Sequence, residues 1–316
     1  MTERFDLIQR NDRFPVDLHV HTVNSDGLED PLGVIKEAAS NGINTIAFAE
    51  HNLVADNHAE LVETASAEGV EIPFPAIEVD TVYHNEDGHP EAKFHILGYG
   101  DGVLNDEFLK YASLPNSVYY HYFVELVDKL RREHGFDLPS VDDMMRGVQP
   151  NGTYAKPHCR QIFRKHVAWY IGQIVDMGLE EIKRTYLPEI PNELKAMRAL
   201  DTIEVIRKLV ELGCLAGAAH PGWHTPFDND SGQIPTRLFD ILSSMKAAGM
   251  CGLESMHRRT NFENQAALYR FAQAEDLMIV GGSDYHAKGE VEVGQHGLLE
   301  SELDRIKEHL ARVVAQ

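Results

Sequence analysis

Asp17-Leu18-His19-Val20-His21-Thr22 closes the apolar run Phe14–Leu18 and carries two imidazoles two residues apart. Side chains alternate along a strand, so His19 and His21 face the same way at its end. Asp26, in the turn Ser25-Asp26-Gly27, is placed to fold back over the same mouth. Three later segments repeat the pattern of an apolar run that ends in ligand chemistry. Glu50-His51-Asn52 follows Ile43–Phe48, Ala219-His220-Pro221-Gly222 follows Cys214–Ala218, and Gly282-Ser283-Asp284-Tyr285-His286 follows Leu277–Val280. Glu78 follows Phe74-Pro75-Ala76-Ile77, and a carboxylate leaving an apolar strand needs a partner. Its two oxygens could bridge two ions. His95 lies inside the run Phe94-His95-Ile96-Leu97-Gly98. Strand ends that bring His, Asp and Glu to one mouth suit a multinuclear metal hydrolase, and active sites of parallel sheets and barrels lie at that edge. The mixed N and O ligands suit Mn, Fe or Zn, and the lack of Cys ligands argues against a closed structural zinc site.

The 316 residues are enough for one large α/β domain or a domain with a substantial insertion. With 29 basic and 50 acidic residues the formal charge is −21, which disfavours non-specific nucleic-acid binding through counterion release. A small anionic substrate remains compatible if metal ions and a few Arg or Lys reverse the local field. No stretch reaches the roughly 18 consecutive apolar residues of a membrane span. The start, Met1-Thr2-Glu3-Arg4-Phe5-Asp6, has no apolar signal core, so the expected location is cytoplasmic. Cys159, Cys214 and Cys251 have no paired spacing and read as reduced thiols.

Residues 1–102 alternate short apolar runs with helical patterns. Strands are expected at Val16–His21, Ile43–Phe48, Glu71–Val79 and Phe94–Tyr99, and helices at Pro31–Asn41 and Ala55–Gly69. The Asn85-Glu86-Asp87-Gly88 turn should join Thr81–Tyr83 to the His95 strand as a hairpin. Residues 103–200 read as a helical insertion, with helices at Ser117–His134 and His158–Tyr170 and a turn at Pro150-Asn151-Gly152. Residues 201–316 return to alternation. Helices are expected at Asp201–Leu212, Thr236–Gly249, Asn261–Glu275 and Ser301–Val314, and strands at Leu215–Ala219, Cys251–Ser255 and Leu277–Val280. His84, His89, His121, His134 and His166 read as structural.

In this order the motifs resemble the PHP (polymerase and histidinol phosphatase) superfamily of metal-dependent phosphoesterases, over nearly the whole chain. The resemblance implies a distorted (β/α)7 barrel formed by 1–102 and 201–316, with the helical insertion 103–200 as a lid. It implies a trinuclear metal centre holding two or three divalent ions. His19, His21, Glu78 and Asp284 would hold one ion, Glu78, His95 and His220 a second, and Asp26, His51 and His286 a third. Asp26, His51, Glu78 and His220 are the expected catalytic set. The chain is most similar to the subgroup with 3′,5′-nucleoside bisphosphate phosphatases and related exoribonucleases, which also carry a Pro-His pair in an insertion, here Lys156-Pro157-His158. Lys156, His158, Arg160 and Arg258 are the expected substrate-binding residues.

Two departures stand out. The second motif reads Ala49-Glu50-His51 where Thr-Asp-His is usual, which bears on the hydrogen bonding of His51. Gln161 stands where an Arg is common, with Arg160 rotated about 100° from it on the expected helix. The expected reaction is hydrolysis of a small phosphomonoester by activated water, with no general acid assigned among His220, His224 and His257. The alternatives are a histidinol-phosphate-type phosphatase, an amidohydrolase-like hydrolase and a non-catalytic metal-stabilised PHP module. The sequence gives no oligomeric state.

Overall fold

Strand β1 (Val16–Val20) is buried along its whole length and pairs in parallel with β2 (Thr45–Phe48). Between them runs α1 (Pro31–Ser40). Asp30 accepts the Gly33 N–H at 2.7 Å, Pro31 opens the first turn, and Val34, Ile35 and Ala38 form the buried face. The structure is a computed structural model and describes residues 12–148, 159–191, 193–194, 197, 199–221 and 234–315. Helix α2 (His58–Ala67) starts three residues later than its pattern suggests, because Asn57 takes a left-handed backbone (φ 54°) just before it.

The strand expected at Glu71–Val79 is displaced. Glu71 makes one isolated bridge to Thr45, Pro73 and Pro75 offer no N–H to a ladder, and β3 runs Ala76–His84. Glu78 therefore lies near the start of β3, not at a strand's departing end. The hairpin to β4 (Pro90–Tyr99) forms as expected and is antiparallel, with Asp80 opposite His95 and Glu78 opposite Leu97.

Helices then dominate: α3 (Asp106–Ser113), α4 (Asn116–His134), α5 (Val141–Met145), α6 (Arg164–Gly172) and α7 (Leu179–Tyr186). The helix expected at His158–Tyr170 starts only at Arg164. Phe163 is extended (φ −132°, ψ 165°), and the Arg160 N–H is given to Asn24 O instead of to a helical ladder. A tertiary contact thus overrides helix propensity, and the rotation of Arg160 about a helix axis does not apply. The Pro150-Asn151-Gly152 turn lies outside the described residues.

The short β5 (Leu200–Asp201), with no counterpart in the sequence reading, pairs in parallel with β3. There follow α8 (Thr202–Glu211), β6 (Leu215–Ala219), α9 (Thr236–Ala247), β7 (Gly252–Leu253), α10 (Phe262–Ala274), β8 (Met278–Ile279) and α11 (Glu300–Val314). β6 coincides with the expected strand, and the ends of the others lie within two residues of the expected ones. None of the described helices is long and apolar enough to cross a membrane.

The ladders make a two-stranded sheet and a six-stranded sheet of order β5-β3-β4-β6-β7-β8. β4 runs antiparallel to both β3 and β6, while β6, β7 and β8 are parallel. Isolated bridges link the two sheets. Thr45–Glu71 and His51–Glu78 connect the β2 side to β3, and Val20–Tyr285 connects β1 to the segment after β8. This mixed α/β architecture brings β1, β2, β3, β4, β6 and β8 to one locus.

Helix α8 packs Val205, Ile206 and Leu209 on β3, β4 and β6. Gly98 permits that approach, since a Cβ there would meet Leu209 Cδ2 at 2.7 Å. The core around this contact includes Ile77, Val79, Phe94, Ile96, Ala218 and Leu253. A separate core consists of residues between Tyr119 and Ile190, among them Phe123, Leu130, Ile162, Tyr170 and Ile182. Phe94 is 1 % exposed in the first core. Phe94→Ala is expected to cost about 3–5 kcal/mol by urea unfolding, the usual range for a buried aromatic cut to Ala. A loss under about 1 kcal/mol would contradict this packing.

Candidate metal centre

His19 sits on β1 and His21 just past its end, with their Nε2 atoms 3.1 Å apart. From His21 Nε2, Glu78 Oε2 lies at 3.2 Å and Asp284 Oδ1 at 3.3 Å. Glu78 Oε2 is 3.4 Å from His19 Nε2. The other oxygen, Glu78 Oε1, is 2.9 Å from both His95 Nδ1 and His220 Nε2. One carboxylate thus presents an oxygen to each of two imidazole groups. Asp26, His51 and His286 meet beside them, with His286 Nε2 2.9 Å and His51 Nε2 3.7 Å from Asp26 Oδ1. All nine sequence-expected ligands, His19, His21, Asp26, His51, Glu78, His95, His220, Asp284 and His286, therefore converge. Four overlapping sets have ligand atoms mutually within 4.8 Å: His21, Asp26, His51 and His286; His19, His21 and Asp284; His19, His220 and Glu254; and His51, Glu78 and His95.

The donor chemistry fits cations. His286 Nδ1 lies 2.8 Å from the Asp284 carbonyl, which can only accept, so the ring proton sits on Nδ1. Its Nε2 lone pair then faces a carboxylate oxygen, acceptor against acceptor. Burial pushes the His286 pKa down to about 4, which favours the neutral ring that a cation would take. Likewise His19 Nδ1 is 3.1 Å from Glu254 Oε1, which turns the Nε2 lone pair toward His21 and Glu78. Asp26 Oδ1, His51 Nδ1 and Glu78 Oε2 are buried without a hydrogen-bond partner among the described residues. With metal–ligand bonds of about 2.1 Å, neighbouring ligand atoms lie roughly 3.0–3.4 Å apart in octahedral or tetrahedral sites, the spacing around Glu78 Oε2. The ion-pair partners of Asp26, Glu78, Glu254 and Asp284 among the described residues are all histidines. Burial alone would raise the Glu78 pKa, and it is the cationic charge on the rings of His19, His51 and His95, the charge a metal ion would replace, that holds it well below the carboxylate range.

Three carboxylates, Glu254, Asp80 and Asp17, received no role from the sequence, and a fourth, Glu50, was tied there to the hydrogen bonding of His51. Glu254, two residues into the Gly252-Leu253-Glu254 strand end, accepts from His19 Nδ1, from His220 N at 2.7 Å and from Gly282 N at 2.8 Å. Its signal was the rule applied to Glu78, a carboxylate leaving an apolar run. Asp80 lies on the same face as Glu78, with Oδ1 3.1 Å from His95 Nε2 and 3.4 Å from His51 Nδ1. The two-residue spacing that marks His19 and His21 marks Glu78 and Asp80 as well. Asp17 accepts from Ser283 N at 2.9 Å and Gly294 N at 2.8 Å, and burial raises its pKa to about 6. Glu50 turns away from the His51 ring and instead accepts from Thr22 N and the Thr22 and Ser25 hydroxyls, bracing the turn before Asp26. The extra methylene thus serves the turn, and His51 is oriented by its neighbours in the cluster.

His257 Nδ1 accepts the Arg259 N–H at 3.4 Å, which leaves the proton on Nε2, 3.1 Å from Asp284 Oδ2. It orients Asp284. Backbone strain concentrates here: His220 (φ 25°) and Asp284 (φ 55°) hold left-handed conformations that cost non-glycine residues energy. Arg160 is turned outward, to Val54 O at 3.1 Å and Asp56 at 2.7 Å. Arg258 is mostly buried, its Nη2 3.8 Å from Glu290 and its Nε buried without a hydrogen-bond partner among the described residues. Lys156, His158 and His224 lie outside the described residues.

Gly281 has φ 97°, and a Cβ there would overlap the Glu254 carboxylate. Glu254→Ala strands buried donors from three segments, each worth about 1–3 kcal/mol when left unsatisfied. Both Glu254→Ala and Gly281→Ala are expected to lower unfolding free energy by at least about 2 kcal/mol in urea titrations. Wild-type midpoints would contradict the role given to Glu254.

A family model described as the PHP domain matches residues 17–181. A phosphoribosyl 1,2-cyclic phosphate 1,2-diphosphodiesterase from Eggerthella lenta is 27% identical over 281 residues, covering 86% of this chain and 94% of that protein. A 5'-3' exoribonuclease from Haemophilus influenzae is 25% identical over 284 residues, covering 89% and 93%. Two solved structures each cover 93% of this chain and 96% of their own. A candidate metal-dependent phosphoesterase from Bifidobacterium adolescentis superposes with a TM-score of 0.71 at 23% identity. An amidohydrolase from Chromobacterium violaceum with bound sulfate superposes with 0.66 at 21%. At those identities the superpositions speak for the fold. The family model covers more than half of the sequence and includes most of the converging ligands, and the chain belongs to the PHP domain family.

Proposed function

We propose that the chain hydrolyses a small phosphomonoester, a nucleotide such as a 3′,5′-bisphosphate, at a centre of two or three Mn, Fe or Zn ions. Membership of the PHP family makes it a metal-dependent phosphoesterase. The observation that carries the reading is Glu78, whose two oxygens address two separate imidazole groups with no Lys or Arg partner among the described residues. His19, His21, Glu78 and Asp284 hold the first ion in this proposal, Glu78, His95 and His220 the second, and Asp26, His51 and His286 the third.

Divalent ions held there lower the pKa of a water and neutralise charge on phosphoryl oxygens. The protein's own part is positional. Glu254 fixes the His19 tautomer and the His220 backbone, and His257 aims Asp284. Such outer partners raise ligand basicity and fix ring orientation. Arg258, whose Nε–H has no hydrogen-bond partner among the described residues, is assigned to a substrate phosphate in this proposal. Arg160 faces Asp56, so its substrate role requires release of that pair.

The bridges Thr45–Glu71, His51–Glu78 and Val20–Tyr285 support reading β1, β2, β3, β4, β6, β7 and β8 as one distorted seven-strand barrel. The separate core of residues 119–190 supports reading 103–200 as an insertion over its mouth. The net charge of −21 supports a small substrate over long nucleic acid. The Eggerthella relative favours one second reading, cleavage of a cyclic phosphate ester.

Phosphate release from adenosine 3′,5′-bisphosphate by Mn²⁺-reconstituted protein tests the proposal, with ring opening of a ribosyl 1,2-cyclic phosphate to its monoester, followed by ³¹P NMR, as the second assay. Release should stop with chelator and fall by about 100-fold or more in Asp284→Asn and His51→Ala, as for loss of a transition-state electrostatic partner. Turnover of the cyclic ester alone would replace the substrate. Turnover indifferent to chelator and to both substitutions would overturn the metal mechanism.

A further inference from the structure

The short segment from Arg160 to His166 touches three ligand-bearing stretches at once. The Arg160 N–H donates to Asn24 O at 3.2 Å. Gln161 is buried, and its side-chain amide donates to the backbone carbonyl of His51. The Phe163 ring packs 5.9 Å from the His51 ring, centroid to centroid. His166 accepts the Phe163 N–H at Nδ1, 3.3 Å away, so its proton sits on Nε2 and is donated to Gly27 O, also at 3.3 Å. Lys165 Nζ lies 3.3 Å from the carboxylate of Glu290, four residues after His286. These contacts land on both sides of Asp26, on His51 and just beyond His286.

Asp26, His51 and His286 all stand off the strands. Asp26 is on a turn, His51 lies past the end of β2, and His286 lies past the end of β8. Of the other ligands, His19, Glu78 and His95 lie within β1, β3 and β4, His21 and His220 directly follow β1 and β6, and Asp284 lies beyond β8. Loop-borne ligands hold a metal geometry only when neighbouring groups lock them. Segment 160–166 adds a lock beside the Glu50 brace on the Thr22–Ser25 turn and the Leu28 N–H bond to His286 O, and it alone reaches the Asp26 turn, His51 and the stretch after His286 together. Gln161, where the related phosphatases commonly carry Arg, spends its N–H on a backbone carbonyl and so serves the frame.

We infer that residues 160–166 form a positioning strap for the Asp26–His51–His286 ion position, so that filling this position and docking the strap are one coupled event. The inference rests on the metal reading proposed above. The coupling is reciprocal: a strap that tightens the ion must itself be tightened by the ion to the same factor.

Three measurements on the full chain test it: Mn²⁺ per chain by elemental analysis, stepwise Mn²⁺ affinities by calorimetry, and hydrogen exchange across residues 159–172 at zero to three equivalents of Mn²⁺. Gln161→Leu and His166→Phe should lose one equivalent, or bind one ion about 10- to 100-fold more weakly, with the other two steps unchanged. In the wild type, exchange across the strap should slow at the step that those variants lose. Lys165→Met, which removes no buried backbone partner, carries the same expectation with a smaller factor and stands in should the others fail to fold. Variants with wild-type stoichiometry and affinities, or all three ions weakened alike, would overturn the strap. A wild type that binds only two ions also overturns it while leaving the proposed function standing, whereas one that binds none overturns both.

Discussion

Asp26, Glu78, Glu254 and Asp284 bring negative charge into a locus whose recorded counter-groups are imidazoles. Burying a carboxylate without a cation costs several kcal/mol even after relaxation. The local structure is arranged around that constraint. Lone pairs of His19 and His286 are turned inward by hydrogen bonds made on the opposite side of each ring, to Glu254 and to the Asp284 carbonyl. Glu78 divides its oxygens between two groups. Asp17 and Glu254 tie the turns after β6 and β8 to β1 through backbone N–H groups. Glycine at 281 and 282 follows from this, because a side chain at either position would overlap one of those two carboxylates.

Much of this was legible in the sequence because one rule recurs. An apolar run that ends in His, Asp or Glu must deliver that group to a partner, and runs that do so share a mouth. The rule found His19, His21, His51, Glu78, His220, Asp284 and His286. Applied evenly it would also have found Asp80 and Glu254. Asp17 was harder, since its partners are backbone amides 266 and 277 residues away, and no local pattern announces them. The Glu50 departure was visible as a departure, but its target, the Thr22–Ser25 turn, depends on how β1 and β2 lie side by side.

Helix periodicity served α1, α4, α8, α10 and α11 to within a residue or two and failed before α6. From Cys159 to Phe163 the chain follows contacts to Asn24 and His51 that lie more than 100 residues away, and long-range bonds of this kind leave no periodic trace. Proline explains the other displacement: Pro73 and Pro75 delay β3, which moves Glu78 from the end of a strand to its beginning. The ligand still reaches the centre, because β4 and β6 run antiparallel there and bring His95 and His220 to meet it.

The most direct test of the central claim is anomalous diffraction at the manganese edge from crystals of the Mn²⁺-loaded protein. Two peaks should flank the Glu78 carboxylate, one on the side of His19, His21 and Asp284 and the other on the side of His95 and His220. Peaks absent from this cluster, or lying elsewhere on a folded chain, would contradict the account.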